Sequence, residues 1–549
     1  MTELPLTVET ASALLFETAR VFADNDLFAM PRWLMEKWRL PRATVGYREM
    51  AEAVAAQAGR YRRAGYGAGH RVALLLENRP QHFVHFMALN AIGAGIVPLN
   101  PDYGPDETRY ALEHSESALA VVLAERKAQV APVAAPLGVP VALDSDAALP
   151  PPRRPAPGGP AGLGAEAALL YTSGTTGRPK GCMLSNEYFL GWGEWYAAQQ
   201  GVLRLRRGEE RLLQPLPTFH TNATGNSFMG MLISGGTQVI LDRFHPKSWW
   251  QDAIETRATC FHYLGVMPAM LLNLPPSPLD CAHKIRFGMG GGLHASHHAA
   301  FEQRFGLTLT EGWAMTETGG AATLGDWEEP RRIGQHCMGR PDRPGPPMEI
   351  RIVDDVGNDV PRGTPGNFLV RAKGPNPRKR FFTAYLKDEA ATAAAWKGGW
   401  LNTGDIVRQD EAGYLYFMDR KKAIVRRSGE NIAAAEVEQV ISDHPAVGEV
   451  SVLAVRDEIR EEEVMAVIVP RPDHTPDAAL ANAIFEHCRQ RFAYYKAPGY
   501  IAFLSEMPVT ATQKIRKADL GDLAENPARH PNCYDLRALK QQSKPRKSA

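Results

Sequence analysis

Short apolar runs alternate with longer stretches whose apolar residues recur every three or four positions. Residues 47–63 show that helical spacing and read as an amphipathic helix. Residues 71–76, 95–99 and 118–123 read as strands, apolar throughout after Arg71, and 81–94 between the first two reads as a helix. Strands separated by helices predict βαβ units and a mostly parallel sheet. Residues 147–164 hold six prolines and four glycines and read as a loop that delivers the chain into a strand at 167–171. Alternation continues to about residue 310. From 348 to 420 the pattern becomes short strands with tight turns, such as Asp410-Glu-Ala-Gly413, which predicts antiparallel structure. Beyond 420 a smaller βαβ-like region follows, with helices at 435–442 and 478–492 and strands at 450–455 and 464–469. The tail after Asn526 carries six Lys/Arg against one Asp and reads as partly disordered.

Composition narrows the class. The chain has 549 residues, far more than one core of roughly 150 residues. Basic and acidic residues number 62 and 61, so the net charge of +1 gives no reason to expect nucleic acid or an anionic membrane as partner. The six cysteines stand far apart, without the short spacings of a zinc knuckle or redox dithiol. The N-terminus lacks the basic start of a signal peptide, and no apolar run approaches the roughly 20 residues that span a bilayer. The expectation is a cytoplasmic, reduced enzyme with no integral membrane segment.

Four strings carry chemistry. Tyr171-Thr-Ser-Gly-Thr-Thr-Gly-Arg-Pro-Lys-Gly181 places three glycines, four hydroxyls and a lysine directly after a strand. Glycines let the backbone turn tightly and present N–H groups; hydroxyls and an ammonium suit phosphate oxygens. Lys180 is followed by Gly181, so the string is not a Walker loop, which ends Gly-Lys-Ser/Thr. The second string, Gly312-Trp-Ala-Met-Thr-Glu-Thr-Gly-Gly320, offers an aromatic for a nucleobase at Trp313, a hydroxyl at Thr316 and a hard oxygen ligand for Mg²⁺ at Glu317. The third, Trp400-Leu-Asn-Thr-Gly-Asp405, precedes Asp419-Arg420 and supplies a carboxylate for ribose hydroxyls. The fourth, Pro508-Val-Thr-Ala-Thr-Gln-Lys-Ile-Arg-Lys517, supplies Lys514. Singly, the last three are ordinary turn, cap or surface residues. Two other patterns fail on context. Gly65-Tyr-Gly-Ala-Gly69 precedes a strand and lacks the third Gly of a dinucleotide fingerprint, and His294, His297 and His298 have no evident acidic partner for a metal.

The order and spacing of the four strings resemble the adenylate-forming superfamily of acyl-CoA synthetases, luciferase and peptide-synthetase adenylation domains, and the resemblance covers the chain from about 45 to 520. The strings at 427–431 and 456–461 further resemble the crotonobetaine/carnitine-CoA ligase subgroup. The resemblance implies an α/β fold: a large N-terminal domain (1–420) of mixed and parallel sheets layered with helices, with an antiparallel β subdomain. It also implies a small α+β C-terminal lid (421–525) and a tail (526–549). Its activity would be ATP-dependent acid–thiol ligation through an acyl-adenylate, with coenzyme A as acceptor; transfer to a carrier protein or other acceptor is the alternative. The cosubstrates and cofactors implied are ATP, Mg²⁺ and coenzyme A. The partner is a small carboxylic acid, and a homodimer is left open.

By the same resemblance, ATP is held by Thr172, Ser173, Gly174, Thr175, Thr176, Gly177, Lys180, Gly291, Gly292, Glu311, Gly312, Trp313, Ala314, Met315, Asp405 and Arg420. Catalysis falls to Lys514, Glu317, Thr316 and His220, with Glu317 also the metal ligand. Lys422 is the hinge, and Arg427, Ser428 and Gly429 face coenzyme A. The acyl pocket takes His220, Asn222, Gly265, Val266, Met267, Gly288 and Met289. Three positions depart from the family pattern: Gln513 and Ala314 replace usual glycines, and Ser185 stands where many relatives carry His.

Overall fold

The computed structural model describes residues 7–172, 179–420, 424–427, 430–457, 460–491, 494–510 and 515–542. The chain divides into two compact units, 1–350 with 369–402, and 351–368 with 403–549.

The first unit is built on two sheets. In one, the strands run in the order Leu324–Gly325, Thr308–Trp313, Phe287–Gly291, Cys260–Leu264, Arg211–Gln214, Thr237–Ile240, Asp26–Ala29, Thr44–Gly46. Its interior pairs are parallel and its two edge pairs antiparallel. The other has the order Ala384–Tyr385, Lys180–Ser185, Glu166–Thr172, Gly95–Pro98, Arg71–Leu75, Leu119–Val122, Val141–Leu143, parallel from Glu166–Thr172 onward. The expected strands at 71–76, 95–99 and 118–123 are therefore adjacent parallel strands of one sheet. Their apolar character follows from burial on both faces.

Helix Tyr47–Ala64 illustrates why the helical pattern was legible. Tyr47, Met50, Val54, Ala58 and Tyr61 are buried on one face, the Glu49 side chain accepts from the Gly46 N–H, and Gly65 ends the helix at φ +96°. Asn78 ties the following turn to the other sheet: its amide donates to the Leu216 and Leu241 carbonyls, both at 3.0 Å, and its oxygen accepts from Thr218 N–H. Gly65 and Gly69 serve a helix end and a turn, as their context predicted.

In the second unit the hairpin of Trp400–Gln409 and Leu415–Arg420 closes on the expected 410–413 turn, where Asp410 accepts from the Tyr414 N–H and Gly413 takes φ +89°. A second sheet has the order Glu430–Ala433, Ile424–Arg427, Glu461–Pro470, Tyr500–Phe503, Cys533–Asp535, with Val447–Asp457 also paired to Glu461–Pro470. Helices Ala434–Ser442 and Ala478–Arg489 bury Val437, Ile441, Ile484 and Phe485 against it. The parallel pair Glu461–Pro470 and Tyr500–Phe503 flanks the second helix as one βαβ unit, whereas Val447–Asp457 and Glu461–Pro470 form a hairpin.

Residues 351–368 and 403–420 group with the C-terminal residues in the second unit. Hydrophobic patterning could not show this, because it marks strands and not which strands pack together. In the described part of the tail Cys533–Asp535 pairs with Tyr500–Phe503, Leu536 is buried, and Lys540 at 0% exposure meets Glu463 inside the unit.

Candidate functional site

Strands Arg211–Gln214, Cys260–Leu264, Phe287–Gly291 and Thr308–Trp313 are parallel neighbours, so their carboxyl ends emerge along one edge. Open α/β sheets bind ligands at that edge. The segments that follow these strands are the ones singled out by sequence: 216–222, 265–267, 292 and 314–317. Gly265 N–H donates to the Gly291 carbonyl at 3.0 Å, and a Cβ on Gly265 would overlap the Gly292 carbonyl. Gly292 itself takes φ +74°. These glycines let two turns close on each other.

The glycine-rich string is the loop of an antiparallel hairpin. Glu166–Thr172 pairs with Lys180–Ser185, with Thr172 opposite Lys180. No helix follows the loop directly, which separates it structurally from a Walker loop. Ser173, Gly174, Thr175, Thr176 and Gly177 lie outside the described residues. Ser185, at a departure from the family pattern, caps helix Asn186–Ala198 by accepting from the Tyr188 N–H at 3.3 Å.

Lys180 and Glu317 meet through a residue the sequence did not reveal. Tyr385 lies on the two-residue edge strand Ala384–Tyr385, paired with Cys182. The Lys180 ammonium sits 4.9 Å from its ring centroid, and its hydroxyl donates to Glu317 Oε1 at 2.8 Å. Burial first, and then the Glu317 charge, push this hydroxyl well above its usual range, so it remains a donor. Backbone bonds hold the strap in place: Phe382 N–H to the Glu317 carbonyl, Thr383 N–H to Met183 and Leu386 N–H to Gly181. Cys182 Sγ lies 3.8 Å from the same Glu317 oxygen, and burial holds this thiol in its protonated form. Tyr385 is 68 positions from Glu317 in sequence. Its signal was slight: an aromatic run, Phe381-Phe382-Thr-Ala-Tyr385, just ahead of the Asp388-capped helix Glu389–Ala395.

Glu317 is 8% exposed. Both side-chain contacts fall on Oε1, and Oε2 has no hydrogen-bond partner among the described residues. No three His, Cys, Asp or Glu side chains cluster as a metal cage among those residues. One carboxylate beside a phosphate site fits Mg²⁺, which binds through one or two carboxylates plus substrate phosphates.

The remaining positions fall into place unevenly. Thr316 and Met315 are half-buried and Ala314 exposed, whereas Trp313 is buried on its strand. Glu311 is buried and accepts from His336 Nδ1 at 3.4 Å; that bond raises the His336 pKa. His220 is exposed, and Val266 is exposed at the same edge. Met267 and Met289 are buried. A Cβ on Gly288 would meet the side chains of Phe261 and Leu309, its partners in register, and successive strand positions alternate faces, so Gly288 and Met289 lie on opposite faces of the sheet. His298 is structural, bonded to the Leu309 carbonyl and paired with Glu302.

Asp405 is 1% exposed and lies opposite Arg420 in the second unit's hairpin; the Arg420 side chain is outside the description. Arg427 is 2% exposed and donates to Glu463 at 2.8 Å, which gives it a buried structural partner. Lys422, Ser428, Gly429, Gln513 and Lys514 lie outside the described residues. The flanks of Lys514 are fixed by a bridge between Val509 and Ile515 and by Arg516 N–H bonding the Pro508 carbonyl. All six cysteines are unpaired, and no described helix is long and apolar enough to cross a membrane.

Comparison with known proteins gives the same assignment for both units. The family model for AMP-binding enzymes matches residues 32–377, and that for the AMP-binding enzyme C-terminal domain matches 436–514. Crotonobetaine/carnitine–CoA ligase of Shigella flexneri is 29% identical over 492 residues, covering 86% of this chain and 92% of that protein. The ligase of the same name from Salmonella paratyphi A is 30% identical over 491 residues, with the same coverage. Among solved structures, the anthranilate CoA ligase AuaEII in complex with anthranoyl-AMP has TM-score 0.82 at 24% identity, covering 96% of this chain and 100% of that one. ATP-bound MatB from Rhodopseudomonas palustris has TM-score 0.78 at 24% identity, covering 94% and 99%. These likenesses establish the fold.

Proposed function

This chain belongs to the family of AMP-binding enzymes, and from that premise we propose that it joins a small carboxylic acid to coenzyme A through an acyl-adenylate, releasing AMP and pyrophosphate. The observation that carries the reading is the convergence of Lys180 and Glu317 on Tyr385, beside the glycine-rich hairpin loop and at the carboxyl edge of a parallel sheet. A cation and a carboxylate held against the ring and the hydroxyl of one tyrosine suit a triphosphate with its metal; they suit no neutral ligand as well.

In the first half-reaction a carboxylate oxygen attacks the α-phosphorus and pyrophosphate leaves. Both reactants are anions, so the site must offset their charge. Lys180 and the loop hydroxyls bind the β- and γ-phosphates, and Thr316 bonds the α-phosphate. Glu317, oriented by Tyr385, would hold Mg²⁺, which neutralises charge on the phosphate oxygens. Lys514 meets the reacting carboxylate and α-phosphate; preorganised charges of this kind are each worth roughly 10²–10³-fold in rate. Asp405 and Arg420 hold the ribose. In the second half-reaction the thiol of coenzyme A attacks the acyl carbonyl and AMP leaves. Lys514 withdraws as the C-terminal domain turns about Lys422, and the segment around Gly429 replaces it, a domain rotation that lets one site serve two steps.

Acid-dependent exchange of pyrophosphate into ATP tests the first step, and thioester formation with free coenzyme A tests the second. Exchange without thioester would reassign the acceptor to a carrier protein or an amine. No exchange with any carboxylic acid would end the proposal.

A further inference from the structure

One partly open side chain at the carboxyl edge is oriented by a buried network, and the orientation can be derived donor by donor. Asn222 begins a π-helical turn, Asn222–Ser227, just beyond the strand that ends at Gln214. π-Turns are rare and recur at functional sites. Here the turn brings Ser227 Oγ to 3.1 Å from Asn222 Oδ1, five residues back.

Gln214 fixes the sense of the network. Its Oε1 accepts from the Leu216 backbone N–H at 3.0 Å, and that group can only donate. The other end of the amide is therefore Nε2, which donates to Ser227 Oγ at 2.7 Å and to Asn222 Oδ1 at 3.3 Å. Asn222 must present its oxygen to that donor. His262 Nδ1, 2.9 Å from the same oxygen and 2.8 Å from Ser227 Oγ, must then carry the hydrogen and share it between the two, and His262 Nε2 must accept from the Tyr196 hydroxyl at 3.0 Å. His262 is fully buried, and burial lowers its pKa to about 3, so the neutral tautomer this pattern requires is the one present. Gln214, Ser227, His262 and Tyr196 are all buried, and Asn222 alone is partly open. With Oδ1 turned toward Gln214, Ser227 and His262, Asn222 Nδ2 has no partner among the described residues.

We propose that Asn222 selects the acid: its fixed amide N–H donates to an oxygen on the acyl chain, so the substrates are carboxylic acids bearing a hydroxyl, oxo or similar acceptor. This deepens the reading given under Proposed function and rests on it. A cationic acid is disfavoured, because an N–H dipole points its positive end at the ligand and the network behind it is neutral. An acid with only methylene groups leaves the amide unsatisfied once water is excluded. One neutral hydrogen bond contributes about 0.5–1.5 kcal/mol, so a preference of up to roughly tenfold is expected from this contact, and more where the unpaired amide is fully desolvated.

The test is acid-dependent pyrophosphate exchange with matched acids: butyrate, 3-hydroxybutyrate, 3-oxobutyrate and the cationic γ-trimethylammonium butyrate. Wild type should favour an oxygen-bearing acid over butyrate in kcat/KM by about tenfold. Asn222→Ala should bring that ratio close to one. Asn222→Asp keeps an oxygen for the three donors and replaces the outward N–H with an acceptor, so it should turn preference toward the cationic acid. Should Asn222→Ala fail to fold, the Asp variant still reads the ratio. Exchange with several acids but no preference for oxygen, or a preference that survives both substitutions, overturns this inference and leaves the ligase reading standing. A wild-type preference for the cationic acid also overturns it. Absence of exchange with every acid defeats the ligase reading instead.

Discussion

Replacing Tyr385 with Phe removes one oxygen from the centre of the site and keeps the ring beneath Lys180. The lost bond runs from a buried hydroxyl to a carboxylate oxygen at 2.8 Å. Hydrogen bonds to charged groups contribute about 1.5–3 kcal/mol, and about 1.4 kcal/mol is tenfold in rate. The full value will not appear, because Cys182 Sγ at 3.8 Å remains near the same oxygen. Adenylation should slow by roughly 10–10²-fold if orienting Glu317 matters to the transition state. The loss should be largest at limiting Mg²⁺, since a carboxylate free to turn is a poorer ligand. Tyr385→Leu also removes the ring 4.9 Å from the Lys180 ammonium, worth about 0.5–2 kcal/mol, and should raise the KM for ATP further than Phe does. Pyrophosphate exchange measured across a Mg²⁺ titration distinguishes these effects. A Tyr385→Phe enzyme within twofold of wild type at limiting Mg²⁺ would refute the assigned role of the hydroxyl.

Other consequences can be checked independently. Lys514→Ala should reduce adenylation by roughly 10²–10³-fold and leave thioester formation from supplied acyl-adenylate near wild type; equal loss in both half-reactions contradicts its role. His262 and His82 both have pKa values lowered to about 3 by burial, against about 6.5 unfolded. Their contribution to stability is therefore complete above pH 6.5 and is lost as pH falls toward 3. Between pH 7 and pH 5 each should cost the first unit about 2 kcal/mol, and His262→Gln should remove about half of that joint slope in denaturant titrations followed by tryptophan fluorescence; an unchanged slope refutes the assignment. In the second unit Glu463 faces both Arg427 and Lys540. Glu463→Gln leaves two buried cations and should cost about 3–5 kcal/mol, whereas Lys540→Met leaves the Arg427–Glu463 pair and should cost under about 1 kcal/mol. Equal losses in these two variants would show that the three charges do not share one buried site.

The parts of the fold legible in sequence are those set by local burial. The strands at 71–75, 95–98 and 119–122 are apolar throughout after Arg71 because helices cover both faces of their sheet, and helix 47–64 shows its period because one face meets the core. Of the chemistry-bearing strings, 312–320 follows a strand at the edge where parallel strands deliver their carboxyl ends, whereas 171–181 joins two antiparallel strands of the other sheet and 400–405 lies within a strand of a hairpin. Nothing local announces Tyr385, which reaches Glu317 by pairing two residues of edge strand with Cys182. Nothing local orients Asn222 either; its sense is dictated through Gln214 by a backbone N–H and through His262 by a buried tyrosine. The family resemblance groups Gly288 with Met289 in the acyl pocket, and strand alternation puts the two on opposite faces of the sheet. These cases share a cause. On the proposed reading the glycine and hydroxyl string serves phosphate, whereas Tyr385 and Asn222 act from other elements through hydrogen bonds that only folding creates. Differences in acid preference among chains with the same loop strings should therefore arise at positions like Asn222 and in the buried layer that aims them.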